Sequence, residues 1–208
     1  MAKGAGRVSV ELLNIDCMEY MATLPDKAFD LAIVDPEYGI NLKGPCERFK
    51  KYGTLQSVNG RPPNKEYFLE LWRVAKKCIV WGGNYFNLPP CQVYLIWDKQ
   101  QPEGLTFADS ELAWTNLDGV ARTFRMRPMG ADSERIHPTQ KPVKLYKWIL
   151  TNYAKPGQRV LDTHLGSGSS AIAAHYFGVD FVGCELDKDY YDAAVNRFQM
   201  ATAQLAML

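Results

Sequence analysis

The stretch Arg159–Asp187, RVLDTHLGSGSSAIAAHYFGVDFVGCELD, decides the fold. It reads as strand, glycine turn, helix, strand and a closing acid. Gly166, Gly168 and Ala171 have the GxGxxG/A spacing of a nucleotide-binding βαβ unit, with Glu185 about 20 residues further on. Glycine lets the backbone turn sharply and lie close to a ligand. A carboxylate at the end of the second strand can accept hydrogen bonds from both hydroxyls of a ribose.

A dehydrogenase fingerprint opens its domain and is followed by several more strands. Here only 23 residues follow Glu185 in a chain of 208. The remaining strands must precede it, so the sheet is circularly permuted relative to that plan. Asp162, at the end of the strand before the turn, places a second carboxylate where a pyrophosphate would be repelled and a cation welcomed. S-adenosylmethionine carries a sulfonium and an ammonium group and no phosphate, which makes it the expected cofactor.

Working outward, the runs VSVELL, DLAIVD, CIVWG, VYLIW, ELAWT and VARTF read as further strands. Helices are expected over Asn64 to Lys76, Pro142 to Tyr153, Gly168 to Phe177 and Lys188 to the C-terminus, with Pro142 in a first turn where its missing donor does no harm. The alternation implies an α/β fold, Rossmann-like, with a mostly parallel sheet. ELAWT and VARTF, joined by Asn116 to Gly119, are expected to form an antiparallel hairpin. Gly39 to Pro63 and Pro128 to Gln140 read as loops. The length predicts one catalytic domain over residues 1–208. A net charge of +1 means that any basic binding surface is local. Five cysteines without a CxxC pair and three histidines predict neither a metal site nor a disulfide framework, and reduced thiols suit a cytoplasmic protein. No apolar run is long enough for a membrane span, and the start lacks a signal-peptide core.

At the end of DLAIVD stands Asp35-Pro36-Glu37-Tyr38-Gly39, an acid and an aromatic ring in a short turn. It resembles the DPPY motif of amino-group DNA methyltransferases. The resemblance covers nearly the whole chain: NIDC (14–17), DPEYGI (35–40), WGGNYF (81–86), LIWDK (95–99), HPTQKP (137–142), DTHLGSG (162–168) and CELD (184–187). With the catalytic motif first and the cofactor loop last, the order is similar to the β class of these enzymes. The resemblance implies that Asp35 and Pro36 handle the target amine and that Tyr38 stacks on the target base. It further implies that Asp162, Gly166 and Gly168 line the S-adenosylmethionine site, that Glu185 holds the ribose and that Asp16 meets the adenine. Thr139 and Lys141 would lie near the methionine end, and Asn84 would face the pocket. Glu37 departs from the pattern, which has a second proline there.

An exocyclic amine conjugated with a base ring is a poor nucleophile because its lone pair is delocalised. If the Asp35 carboxylate and the Pro36 carbonyl each accept one N–H, the nitrogen moves toward a tetrahedral shape and the lone pair is freed. The Glu37 side chain need not take part, because the accepting group is the preceding carbonyl. A base in a duplex must be flipped out to reach such a pocket, and stacking on Tyr38 offsets part of that cost.

Basic residues cluster at Lys43, Arg48, Lys50, Lys51, Arg61 and Lys65, with Glu47 the one acid among them, and again between Arg122 and Lys144. The first cluster is the candidate DNA contact. The five tryptophans fall in strands or helices, where core packing is expected. Asp35 favours adenine N6, by family association; cytosine N4, a protein glutamine, and a DNA-binding relative without catalysis are the alternatives. With only a short loop before HPTQKP, target recognition falls to the Gly39 to Pro63 loop, to a second subunit as in a homodimer, or to very few bases.

Overall fold

The computed structural model describes residues 8–39, 61–102, 108–128, 136–137 and 139–203. All eight of their strands join one sheet: β1 (Val10–Asn14), β2 (Phe29–Val34), β3 (Ala75–Trp81), β4 (Tyr94–Asp98), β5 (Ser110–Thr115), β6 (Arg122–Arg125), β7 (Arg159–Asp162) and β8 (Asp180–Glu185). Their order across the sheet is β1-β8-β7-β2-β3-β5-β4-β6. Neighbours from β1 to β3 are parallel, β5 runs antiparallel to both β3 and β4, and β6 is parallel to β4. Thus β5 alone is reversed. The first and last strands lie side by side, as the permuted order requires.

Among the described residues five α-helices cover the sheet: α1 (Cys17–Ala22), α2 (Lys65–Val74), α3 (Val143–Tyr153), α4 (Ser169–Phe177) and α5 (Lys188–Ala203). Strand β2 shows how the period of two builds the layers. Leu31 and Ile33 pack with Leu145, Ile149 and Leu150 of α3 and Ala171 and Ala174 of α4. Ala32 and Val34 pack with Met21 of α1 and Tyr67, Phe68 and Leu71 of α2 on the other side; Phe29, at the strand start, joins this second cluster and departs from the alternation. Side-chain caps set the helix starts: Asn64 Oδ1 accepts from Tyr67 N at 3.0 Å, and Asp187 Oδ1 accepts from Asp189 N at 2.9 Å. Gly178, at φ +88°, closes α4 in the left-handed conformation.

Two expectations are corrected. The hairpin partner of ELAWT is VYLIW, not VARTF, because β3 and β4 occupy both edges of β5 and leave β6 only the far edge of β4. Asn116 helps to fix this by tying the end of β5 back to β3, accepting from Cys78 N at 2.7 Å. Pro142 is the N-cap of α3, extended at ψ 141°, and the helix starts at Val143. The short helix α1 was not expected. Trp81, Trp97 and Trp114 are buried in the core, as their places in strands implied. No helix among the described residues is long and apolar enough to cross a membrane.

Candidate active site

One rim of the sheet collects the candidate residues because parallel strands end there together. Across the sheet it carries Asp16 after β1, Glu185 on β8, Asp162 on β7, Asp35 after β2, Gly82 after β3, Glu111 on β5 and Lys99 after β4. Glu111 reaches this rim only because β5 is reversed, so that its start lies where the other strands end.

The β1-β8-β7 half of the rim is acidic. Asp16 caps α1, its Oδ1 accepting from Met18 N at 2.7 Å. Glu185 accepts from Gly166 N at 2.8 Å and from Asp187 N at 3.1 Å. Asp162 is buried, with Ser170 Oγ donating at 2.6 Å and His164 N at 3.0 Å. Burial pushes its carboxyl up to about 7 against those two donors, with Asp35 and Glu185 adding to the rise. Among the described residues, none of these three carboxylates is ion-paired with a lysine or arginine. Gly166 and Gly168 turn at φ +50° and +72°. A Cβ at Gly166 would meet nothing nearer than His164 O at 4.0 Å, whereas one at Gly168 would press on Ala194 Cβ at 3.3 Å. Gly166 therefore leaves open space for a ligand, and Gly168 permits close packing of α5. Arg197 of α5 braces the turn, donating to Ser167 O at 2.8 Å and Ser169 Oγ at 2.9 Å. Burial also pushes the neighbouring His164 imidazole down to about 4, so it is neutral near pH 7. This half can take a cationic, phosphate-free nucleoside: an open glycine turn beside three carboxylates without counter-ions.

The other half is a closed charge network. Lys141, only 3% exposed, sets its Nζ 2.5 Å from Asp35 Oδ2 and 2.9 Å from Glu111 Oε2. Lys99 holds the second Glu111 oxygen at 2.6 Å. Tyr38 OH donates to Asp35 Oδ1 at 2.7 Å and lies 3.4 Å from Glu111 Oε2. The Lys141 ammonium also stands 5.4 Å from the Trp81 ring centroid and 5.6 Å from that of Tyr38. Burial opposes both Lys141 and Glu111 in their charged forms. Their partners prevail, holding the Lys141 pKa above the ordinary lysine value and pulling Glu111 down to about 2. Burial raises the Asp35 carboxyl against the pull of Lys141, and the charge of Glu111 raises it further. A raised, ionised aspartate is a stronger hydrogen-bond acceptor than an ordinary one.

Tyr38 is packed on several sides. Its ring stacks on Tyr85 with centroids 5.0 Å apart and planes at 15°, and meets the edge of Phe86 at 6.1 Å. Gly82, at φ +69°, lies so close that a Cβ there would stand 2.1 Å from Tyr38 Cε1. Pro36 is buried and Glu37 half-buried.

Of the sequence candidates, the fold brings Asp35, Pro36, Tyr38 and Lys141 together at one end and Asp16, Asp162, Gly166, Gly168 and Glu185 at the other. Lys141 lies on Asp35, its Nζ 2.5 Å from Oδ2. Thr139 is exposed and bonded to His137 Nδ1 at 3.0 Å, and Asn84 is exposed on the turn Gly83–Tyr85. Arg61 and Lys65 are exposed; Lys43, Arg48, Lys50 and Lys51 lie outside the described residues. Sequence reasoning missed Glu111, Lys99 and Tyr85. A lone acid opening an apolar strand, and a lysine closing LIWDK, were the available signals.

Residues 41–196 match the family N6_N4_Mtase, described as DNA methylase. The type II methyltransferase M.HinfI of Haemophilus influenzae is 22% identical over 90% of this chain and 68% of its own length. Among solved structures, the M1.HpyAVI-SAM complex superposes with a TM-score of 0.60 at 19% identity, over 90% of this chain and 99% of that one. The PvuII DNA methyltransferase, named as cytosine-N4-specific, gives 0.63 at 12% identity, over 94% and 90%.

Proposed function

The chain belongs to the N6_N4_Mtase family of DNA methylases, and from that premise we propose that it transfers a methyl group from S-adenosylmethionine to the exocyclic amine of a flipped base in DNA, with adenine N6 the preferred target. The observation that carries this reading is the carboxylate of Asp35 at the rim, raised by burial and beside the stacked ring of Tyr38. The acidic half of the rim fits the cofactor, since Gly166 leaves open space and Asp162 and Glu185 favour cations over phosphate.

When bound, S-adenosylmethionine supplies an electrophilic methyl group on a sulfonium. Asp35 accepts one N–H of the amine and the Pro36 carbonyl the other, which frees the nitrogen lone pair. Methyl transfer would exchange the C–S bond for a new N–C bond, with Asp35 or water placed to take the amine proton. Lys141 and Tyr38 keep the Asp35 carboxylate fixed in position, so little reorganisation accompanies the reaction. Tyr85 covers one face of Tyr38, so an incoming base stacks on the remaining surface or displaces Tyr85.

Adenine is favoured by the aspartate at position 35. Cytosine N4 is the second reading, supported by the fold shared with a cytosine-N4-specific enzyme. Incubation with labelled cofactor and unmethylated DNA, followed by nucleoside mass spectrometry, decides between them. N6-methyladenine is the expected product. N4-methylcytosine would replace the adenine assignment, and cofactor binding without either product would leave a DNA-binding relative.

A further inference from the structure

We propose that Glu111 is a positioning residue for methyl transfer, setting how strongly Asp35 accepts the target amine by sharing the Lys141 ammonium with it. The inference rests on the amino-methylation reading above. The ammonium lies between two carboxylates, 2.5 Å from Asp35 Oδ2 and 2.9 Å from Glu111 Oε2. A lysine given wholly to Asp35 would neutralise it and weaken it as an acceptor. One divided with Glu111 leaves Asp35 fixed in position yet basic. Lys99 completes the balance, pairing with the outer Glu111 oxygen at 2.6 Å, so that two acids and two lysines sum to zero charge.

The placement also gives Glu111 a second hold on the site. Its Oε2 lies 3.4 Å from Tyr38 OH, the hydroxyl that donates to Asp35 Oδ1. Glu111 therefore faces both Lys141 and Tyr38, the two side chains that hydrogen-bond the Asp35 oxygens. The reversed strand β5 delivers a carboxylate to this point on the rim, between the ends of β3 and β4.

The test is a titration of the Asp35 side-chain carboxyl by carbon-13 NMR, in the protein without DNA or cofactor, for the parent, Glu111→Gln and Lys99→Gln. The groups that face or feel Asp35 are Tyr38 on its own turn, Lys141 before α3, Glu111 on β5, Asp162 on β7 and Tyr146 on α3. Removing the Glu111 charge gives Lys141 wholly to Asp35, so Asp35 should titrate at lower pH in Glu111→Gln. Removing the Lys99 charge should move it to higher pH. Alongside, Glu111→Gln should bind cofactor and DNA with parental affinity and transfer methyl groups in a single turnover at least about tenfold more slowly. An altered packing role would not produce opposite shifts in the two variants. Asp35 titrating at the same pH in all three proteins would overturn the proposal. The same result in Lys99→Gln alone would suffice if Glu111→Gln does not fold. Opposite shifts in a protein whose parent methylates no DNA would uphold the sharing of Lys141 and reject the amino-methylation reading instead.

Discussion

Among the described residues, the Asp162 carboxyl is ion-paired with no lysine or arginine. Its side chain is buried, two neutral donors hold its oxygens, and its carboxyl is raised to about 7. A raised carboxyl is protonated below its own pKa and ionised above it, and only the ionised form attracts a cation. Affinity for S-adenosylmethionine should therefore rise with pH, by roughly tenfold between pH 6 and pH 8 as the ionised fraction climbs from about a tenth to about nine tenths. His164 stays neutral throughout that window and does not contribute. The same sign applies to folding: a native carboxyl raised above its unfolded value favours the fold at low pH, and that contribution is lost as the pH rises through about 7. Calorimetry at the two pH values, on the parent and Asp162→Asn, checks the binding expectation. An equal slope in the variant would show that Asp162 does not govern the cation. At this scale the sequence was most informative where chemistry sits at a strand end. Asp35, Asp162 and Glu185 were all legible, because a carboxylate closing an apolar run has few other uses. The altered pKa values were not legible, since burial is a property of the packed molecule.

Among the elements, β3 and the turn that follows it do the least visible work. Gly82 adopts φ +69° and lets the Tyr38 ring lie directly on the backbone. Alanine there would add about 1 to 2 kcal/mol of left-handed strain and a methyl group 2.1 Å from the ring carbon, so Tyr38 must move. Gly82→Ala should retain cofactor binding, which depends on the other half of the rim, and lose at least about tenfold in methyl transfer. Gly119→Ala is the matched control, since Gly119 has positive φ and nothing within 4 Å of its added Cβ. Equal turnover in the two variants would mean that Tyr38 placement does not matter. Strand identity was readable from the apolar runs, but strand pairing was not. ELAWT was expected to pair with VARTF because they adjoin in sequence, yet β5 is bounded by β3 and β4. Apolar period says which face a residue takes and nothing about which edge is filled. Glu111 escaped notice because its rim position depends on the reversal of β5 within the sheet.

In the molecule as a whole, the closing βαβ unit and the opening strand meet at one edge, with β1 beside β8. Asp35, just after β2, and Lys141, before α3, sit next to the acidic half of the rim. The order of motifs already implied this arrangement. It did not imply the Lys141–Asp35 contact, which joins positions 106 residues apart through the packing of α3 under the sheet. The central claim is that Asp35 accepts the target amine as methyl transfer proceeds. The direct measurement is single-turnover methylation by Asp35→Ala and Asp35→Asn, with cofactor and DNA binding measured separately. Loss of an acceptor that strengthens in the transition state should leave binding near parental and slow Asp35→Ala by at least about a hundredfold. Asp35→Asn, which keeps one oxygen but no charge, should fall between. An Asp35→Ala protein that methylates DNA at the parental single-turnover rate would contradict the account.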